Sequence, residues 1–281
     1  MKFINTTFLF SAVIFTIIGC AELKSIIDQN LGLSNQEIVD GLKKALDVGL
    51  DKSVTSASAV NGYLKNEAIK LILPKEVKSL QEEIKSGSVS LLNGAVKVPY
   101  SKILNTYVSL DPNLEEDPFD ELVVAMNRGA EQAAKKAIPI FGSAIRNMSF
   151  TDALGILQGG EKAATDYFYT KTKSSLQSAF QPEIKNALGD TKATAIYGSV
   201  AKFVNYEYEV NYLINTYTVD VSDYLKTKEL PATLDGYATN KAIEGLFYLI
   251  GNEEKKIRAN PMDYASTIIR KVFSSDEAQS N

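Results

Sequence analysis

The sequence predicts an all-α fold, a predominantly helical bundle with a small β-hairpin insertion. Apolar residues recur at helical spacing through most of the chain after residue 34. Two of these stretches begin with a serine followed three positions later by an acidic residue, which is the pattern of a helix N-cap. One stretch, around Asn93-Gly94, places a tight-turn dipeptide between two short β-prone runs and predicts the hairpin.

Length and charge limit the classes of protein that the chain can represent. The chain has 281 residues, of which 45% are hydrophobic and 23% are charged, an ordinary globular composition. Its formal net charge is −4, and no basic run longer than two residues stands out. Nucleic-acid binding needs a cluster of Lys and Arg, so no nucleic-acid partner is predicted.

Two residue types are scarce in a way that limits the chemistry. The chain has no histidine and a single cysteine, Cys20. Ser-His-Asp and Cys-His nucleophilic systems, histidine zinc sites and thiolate clusters are therefore excluded. We predict no metal and no cofactor, and an enzyme would have to work with carboxylates, Lys, Tyr, Ser or Arg.

The N-terminus has the pattern of a secretion signal. Lys2 supplies the positive start and Phe8–Ile18 an apolar run of about 11 residues, too short for a bilayer span of roughly 20. The run ends in Ile17-Ile18-Gly19-Cys20, which resembles the bacterial lipobox. We expect a lipoprotein signal peptide at 1–19 and acylation of Cys20, followed by a tether through residue 33; an uncleaved anchor with a free cysteine is the alternative.

The residue after the cysteine bears on which membrane holds the protein. In enterobacterial sorting, Asp at that position retains a lipoprotein in the inner membrane, whereas this chain has Ala21. By that resemblance, an exported protein anchored on the periplasmic side of the outer membrane is favoured.

The first half of the mature chain alternates helix and irregular signals. Ser34 and Glu37 form a capping box for a helix that runs to about Ser53. The segment from Tyr63 to Leu73 is mixed, and a polar helix follows. The predicted insertion covers about residues 86–112, with strands Val89–Leu92 and Ala95–Val98 joined by a type I′ turn at Asn93-Gly94.

A long central helix follows the acidic loop at 111–118. It is predicted to run from Phe119 to Met148 with a kink at Pro139. At 100° per residue, one broad arc is apolar: Leu122, Met126, Ala130, Ala133, Ala137, Ile140, Phe141, Ala144 and Met148. Small residues such as Gly129 and Ala133 let partner helices approach closely.

The second half of the chain is predicted to be helical with breaks. Ser149 begins one helix, Gly159-Gly160 interrupts the chain, and a helix then covers Glu161–Phe180. Further predictions are a helical stretch starting at Pro182, a helix from Ala193 to about Tyr217, a loop-like segment Val219–Pro231, a helix Thr239–Arg258, and a last helix capped by Asn260. The helical domain thus covers 34–275, and a disordered tail covers 276–281.

Several blocks in this order resemble a bacterial family, the domain of unknown function 4197. The blocks are LSNQEIVDGLKKALDVG, MNRGAEQA with AIPIFGSAI, SFTDALGIL, ATDYFYTKT, and TNKAIEGLF with EEKKIRANP, spread over most of residues 34–273. The segments around 86–112 and 226–234 are longer than the resemblance leads us to expect. The resemblance implies an exported, mostly helical protein without an assigned activity, and it supplies no catalytic residues.

A polar cluster on the central helix is the first candidate site. Asn127, Arg128, Glu131 and Gln132 lie within about one turn, where Arg128 can hold a carboxylate or phosphate in a bidentate fashion. The alternative is structural, with Arg128 and Glu131 forming a surface pair or the cluster bonding a neighbouring helix.

A second candidate lies on the predicted 193–217 helix. Glu207 and Asn211 fall on its apolar stripe, where a buried carboxylate needs a partner and suggests an acid or a ligand anchor. A bent helix that leaves Glu207 exposed to water is the alternative. Tyr169 belongs to a set of tyrosines that can line a groove or mark helix-packing boundaries.

These predictions favour a lipid-anchored envelope protein that binds a small ligand or an envelope protein at the membrane surface without catalysis. The expected site is the cleft between the central helix and the 193–217 helix. A structural or assembly lipoprotein is one alternative. A carboxylate-based envelope enzyme, such as a glycan-cleaving one with two acids facing each other across an open cleft, is the other.

Overall fold

The computed structural model describes residues 32–114, 117–227 and 229–278. The predicted signal peptide at 1–19, the predicted lipidation site Cys20 and nearly all of the tether lie outside these ranges. Helices dominate the described residues, so the predicted all-α fold with a small β insertion is confirmed. Of the helices described, none has both the length and the hydropathy that crossing a bilayer requires.

In chain order the regular elements are α1 (Asn35–Ser58), α2 (Lys75–Ser86), β1 (Ser88–Leu91), β2 (Val96–Pro99), α3 (Tyr100–Leu110), α4 (Pro118–Ala134), α5 (Ala137–Arg146), α6 (Phe150–Leu157), α7 (Ala163–Asp190), α8 (Ala193–Phe203), β3 (Glu207–Tyr212), β4 (Asn215–Asp220), α9 (Val221–Tyr224), α10 (Asp235–Ala259) and α11 (Thr267–Phe273). A 3₁₀ turn, Pro261–Asp263, stands before α11, so Asn260 and Pro261 start that turn and not the last helix. The first residues of the predicted tail, 276–278, form a turn, and residues 279–281 lie beyond the described part.

The two longest helices of the second half, α7 and α10, run antiparallel. A Cβ at Gly251, near the end of α10, would lie 3.5 Å from Thr165 near the start of α7. At the opposite end, Gln181 of α7 donates to Asp235 at the start of α10. The α7–α10 pair therefore forms a rod. One end of the rod contains the start of α7 and the end of α10, and the other end contains the end of α7 and the start of α10.

Helix α1 packs on the same rod and is also antiparallel to α10. A Cβ at Gly49 would lie 3.5 Å from Ile257, and the chain beyond α1 brings the Tyr63 hydroxyl to the Ala242 carbonyl at 2.7 Å. The start of α1 consequently lies past the C-terminal end of α10, where a Cβ at Gly41 would meet Val272 of α11.

Helix α4 is the buried helix that its apolar arc predicts. Leu122, Met126 and Ala130 are fully buried. A Cβ at Gly129 would lie 3.3 Å from the Ala187 Cβ, so α4 and α7 approach closely where the residues are small. The capping boxes at Ser34 and Ser149 are both formed, as predicted for α1 and α6.

The prediction of one kinked central helix is wrong, because the chain divides into α4 and α5 at Lys135-Lys136. Pro139 has no N–H to bond the Lys135 carbonyl, and its ring crowds that carbonyl. The helix therefore ends before the proline and restarts with Pro139 in the first turn of α5. Pro182 shows the opposite outcome: it lies inside the continuous helix α7 and does not start a new one. Phe180 and Ile184 on either side of it are fully buried, and their packing holds the helix together.

The first hairpin, β1–β2, is confirmed, but its predicted two-residue turn is wrong. Leu91 pairs with Val96, so the turn has four residues, Leu92 to Ala95. Leu92, Asn93 and Gly94 all have positive φ (54°, 51° and 93°). The predicted insertion segment also contains the helix α3.

The predicted helix from Ala193 to Tyr217 is wrong beyond Phe203. Residues from Glu207 on form a second antiparallel hairpin, β3–β4, in which Glu207 pairs with Asp220 and Tyr212 with Asn215. The segment YEYEVNY alternates polar and bulky residues with a period of two, and aromatic and β-branched residues favour strands. The prediction was wrong here because it assigned a helical period to residues that alternate with a period of two.

Candidate functional site

The polar cluster predicted on α4 is present, and most of it is occupied by the neighbouring backbone. The Asn127 side chain is fully buried. Its Oδ1 accepts from the Leu71 N–H at 2.8 Å, while its Nδ2 donates to the Leu71 and Val123 carbonyls, each at 2.7 Å. Asn127 thus provides hydrogen bonds to backbone groups of the irregular segment after α1, which has no neighbouring strand or helical turn to provide them.

Glu131 also forms hydrogen bonds with the backbone of this irregular segment. Its carboxylate accepts from the backbone N–H groups of Tyr63 (3.3 Å) and Leu64 (3.2 Å) and is paired with Arg128 Nη1 at 2.6 Å. Arg128 also donates to the Asn61 side chain at 2.9 Å. Burial, aided by the Glu131 charge, raises the pKa of the Tyr63 phenol. The three contacts to Asn61, Tyr63 and Leu64, together with the two Asn127–Leu71 bonds, tie residues 61–71 to α4, which agrees with the structural alternative for this cluster.

The other predicted site residues lie apart from this cluster. Gln132 is exposed on α4, and Glu207 and Asn211 are exposed on β3. Of the two possibilities for Glu207, a buried carboxylate or one exposed to water, the structure has the exposed one. Asn211 accepts from Thr216 across the hairpin at 2.7 Å. Tyr169 on α7 packs its ring against Phe247 at 5.1 Å, and Lys173 donates to its hydroxyl. The predicted residues therefore do not converge on one pocket.

Two buried acids near the end of α10 were missed at the level of sequence. Glu254 accepts from the backbone N–H groups of Ala164 and Thr165, both at 2.9 Å, and from the Thr165 hydroxyl at 2.7 Å. Its partner Arg258 donates to the carbonyls of Ile156 (2.7 Å) and Leu157 (3.2 Å). The pair thus caps the end of α6 and the start of α7, and compensates both helix dipoles.

Glu253, the neighbouring acid, faces another side of α10. It accepts from Lys52 (2.9 Å), the Tyr264 hydroxyl (2.8 Å) and Lys256 (3.2 Å). Burial alone would raise the pKa of Glu253, but these three donors together hold its pKa below the usual value. Burial and the adjacent carboxylate raise the pKa of Tyr264. The i,i+4 spacing of Glu254 and Arg258 was a visible signal, whereas the partners of Glu253 are not apparent from local sequence.

Each of the three buried carboxylates is thus neutralised by a cation and saturated with hydrogen bonds. An acid-base site needs an acid that faces an open cleft. Within the described ranges no group of three or more acidic or cysteine side chains is arranged to hold a metal ion. These acids are suited to fastening helices and loops together.

A concave groove lies at the end of the rod where α7 finishes and α10 begins. Its volume is about 480 Å³, within the range of small-molecule sites. Its walls come from the end of α7, one face of α8 and the segment before α10, and are mainly apolar: Lys185, Leu188, Ala193, Thr194, Tyr197, Gly198, Ala201, Val204, Leu230, Pro231, Ala232, Thr233, Leu234 and Asp235. Two other depressions in the described part, of about 550 and 590 Å³, are more open to solvent.

A hydrogen bond fixes one wall of the groove, and one charged residue that lines the groove has no ion-pair partner among the described residues. Tyr197 donates its hydroxyl to the Pro231 carbonyl, which holds the segment before α10 against α8, and burial raises its pKa to about 12. Hydrogen bonds from Thr233 and then Gln181 help to hold the pKa of Asp235 below its usual value. Lys185 is exposed and has no ion-pair partner among the described residues. The groove can therefore accept an apolar body and one anionic group.

The groove overlaps only in part with the cleft predicted from sequence. The start of the predicted 193–217 helix, now α8, forms one wall, but α4 does not line the groove. Neither Arg128 nor Glu207 lies among its lining residues. The segment 230–235 forms the other wall, and its Leu-Pro-Ala-Thr-Leu composition gave no signal beyond a loop.

The family model described as a protein of unknown function, DUF4197, matches residues 32–98 and 93–274. No curated protein and no solved structure matches the chain.

Proposed function

The chain belongs to the DUF4197 family, and we propose that it is an exported, lipid-anchored envelope protein that binds a small amphipathic molecule in the α7–α8 groove without catalysis. The observation that carries this proposal is the groove itself, which is concave, mainly apolar and about 480 Å³ in volume. The ligand class that fits has an apolar body and an anionic head, such as a carboxylate or phosphate.

The apolar body is supported by the composition of the walls. Ala201 and Leu230 are partly exposed in the groove, and covering their aliphatic groups would stabilise a complex by about 25 cal/mol per Å² of buried apolar surface. A Cβ at Gly198 would meet no atom within 4 Å, so the groove continues over the surface of α8 at this position. A flexible acyl chain suits such a shape.

The anionic head is supported by the charges at the rim. Among the described residues that line the groove, only Lys185 and Asp235 are charged. Asp235 is already bonded by Gln181, whereas Lys185 has its ammonium group in solvent. A bound carboxylate or phosphate would pair with Lys185 without displacing an existing contact.

The lipid anchor rests on the N-terminal sequence. The signal-like segment at 1–19 and the lone thiol of Cys20 support acylation at that residue and attachment to the periplasmic side of the outer membrane. Mass spectrometry of the purified protein should find an acylated N-terminal Cys20. Unmodified Cys20 on a protein that fractionates with the cytosol would contradict this part of the proposal.

Ligand binding is tested by filling the groove. A fatty acid with a fluorescent reporter should bind the natural protein, and Gly198→Leu should weaken that binding by at least about tenfold, since Leu occupies space inside the groove. The matched control is Gly155→Leu on α6, where an added side chain also meets open space but lies outside the groove. Equal affinity of Gly198→Leu and the natural protein would exclude the groove as the site.

The head group is tested separately. Lys185→Ala should lower the affinity for the fluorescent fatty acid but not for the corresponding fatty alcohol, because only the acid is charged. Mass spectrometry of co-purifying molecules then identifies the natural ligand. The rival functions have less support here. An assembly protein predicts no open groove, and a glycan-cleaving enzyme predicts two facing acids, whereas among the described residues Asp235 is the only carboxylate that lines the groove.

A further inference from the structure

The tip of the β3–β4 hairpin exposes two aliphatic side chains. The turn consists of Leu213 and Ile214, between the paired residues Tyr212 and Asn215. Leu213 is 87% exposed and Ile214 is 97% exposed. Single exposed apolar residues are common on protein surfaces, but these two are adjacent at the end of a protruding element.

The backbone at the tip is also unfavourable for the residue it holds. Leu213 has φ 56°, in the left-handed region where Gly and Asn are the usual residues. A two-residue hairpin turn with Leu at this position lowers stability relative to Asn or Gly. Both the exposure of its apolar side chain to water and its positive φ therefore make leucine unfavourable at position 213. The stability of the fold does not explain why a leucine is found there.

The part of the hairpin next to the tip carries no charged side chain. From Val210 to Val219 the chain carries no ionisable acid or base other than the tyrosine phenols. The nearest acidic residue, Glu209, is four positions before Leu213, which corresponds to about 14 Å along a strand. The polar interface of a bilayer is roughly 5–8 Å deep on each side, so the uncharged end is long enough to enter it with the carboxylates still in water.

Two tyrosines lie on the strands next to the hairpin tip. Tyr212 directly precedes the tip and is 38% exposed, and Tyr217 is half-buried on the facing strand. Tyrosine rings with a hydroxyl end favour the level of the lipid headgroups. An aliphatic tip followed by tyrosines and then by acids is the order that insertion into a bilayer surface requires.

From these features we infer that Leu213 and Ile214 insert into the headgroup region of a lipid bilayer, and that the hairpin is a second, non-covalent membrane contact of this protein. Between Lys202 and Lys226 the chain carries four acidic residues, Glu207, Glu209, Asp220 and Asp223, and no basic one. The inferred surface is consequently zwitterionic, since anionic lipid would repel the hairpin. The proposed acyl anchor is not needed for this contact.

The chain offers a specific optical test, because it contains no tryptophan. All the packing described lies within residues 32–278, so a chain that starts at residue 20 with Cys20→Ser keeps it while lacking acyl groups. In this background Leu213→Trp places a single indole at the tip. Its emission should shift to shorter wavelength on addition of phosphatidylcholine vesicles and be quenched by brominated acyl chains.

Two controls locate the contact. Leu110→Trp puts the indole on α3 at another exposed leucine, 69% exposed in the natural chain, and should show no shift. In the chain without tryptophan, Leu213→Asn combined with Ile214→Thr should lower vesicle binding by at least about tenfold. Asn suits positive φ, so the far-ultraviolet circular dichroism of that variant should be unchanged.

Three results would overturn the inference. They are an unshifted Leu213→Trp emission, an equal shift for Leu110→Trp, and binding that requires phosphatidylglycerol. The outcome is separate from that of the groove, since Gly198→Leu should bind vesicles as the natural sequence does.

Discussion

Arg258 Nη2 lies 2.9 Å from Glu254 Oε1, and the two residues together close the gap between the end of α6 and the start of α7. The Arg258 side chain is 15% exposed and the Glu254 side chain 7% exposed. Each charge meets the helix terminus of opposite sign, so the pair orders the Gly159-Gly160 break without a local cap.

Removing the Glu254 carboxylate should destabilise the protein. Glu254→Ala leaves Arg258 without its counter-ion and two N–H groups of α7 without acceptors, so we expect a loss of about 3 kcal/mol in the free energy of unfolding. Urea denaturation followed by circular dichroism measures it. Glu244→Ala, which breaks the exposed Lys241–Glu244 pair on the same helix, should change it by less than about 0.5 kcal/mol. Equal effects of the two substitutions would refute the special role of the buried pair.

Asn127 should be nearly as important as Glu254. Asn127→Ala leaves the buried N–H and carbonyl of Leu71 without partners, and we expect a loss of about 2–4 kcal/mol. Hydrogen exchange at the Leu71 amide should accelerate, because its acceptor is gone. Asn240→Ala, at an exposed asparagine bonded to Gln177, serves as the control and should have little effect. Unchanged exchange at Leu71 would contradict the geometry.

Gly41 should not tolerate even one added methyl group. A Cβ there would lie 2.3 Å from Val272 Cγ2 and 3.2 Å from the Ile268 carbonyl, so Gly41→Ala forces α1 and α11 apart. We expect a loss of about 1–3 kcal/mol despite the higher helix propensity of alanine. Gly155→Ala meets no neighbour within 4 Å and should instead stabilise α6 by about 0.5–1 kcal/mol. Thermal unfolding of the two variants would then show shifts of opposite sign.

Glu253 should make part of the stability dependent on acid pH. Its pKa is lowered in the folded protein, so the stability it adds is fully present above its ordinary pKa of 4.5 and is lost as the pH falls through the lowered value. Glu253→Gln removes this contribution. The difference in unfolding free energy between the natural protein and the variant should therefore be larger at pH 7 than at pH 3. A difference that stays constant over this range would show that charge is not the cause.

Local patterns predicted the elements whose determinants lie within a few residues. The capping boxes at Ser34 and Ser149 and the apolar arc of α4 depend on spacings of three and four residues, and the structure has them as expected. The β3–β4 hairpin was missed because Ile196, Val200 and Phe203 set a helical period that Val210 and Ile214 happen to continue. Its strands are stabilised by pairing between Glu207–Tyr212 and Asn215–Asp220, which a helical reading of one segment does not consider.

The candidate site was less predictable than the fold. Sequence spacing placed Asn127, Arg128 and Glu131 near one another, but their partners at residues 61–71 lie more than 50 positions away in the chain and could not be foreseen from it. The groove joins residues near 185–201 with 230–235, and neither part has a distinctive composition. Sites built from distant, chemically ordinary segments become visible only when the helices are packed.

The antiparallel arrangement of the rod has a consequence for where the protein works. The first described residues lie at the α11 end, past Ile257, whereas the groove begins at Asp235, 22 residues earlier on α10 and thus about 33 Å away along its axis. A ligand in the groove would then lie at the opposite end of the α7–α10 pair from residue 32, from which the chain leads back to the acyl anchor that we propose.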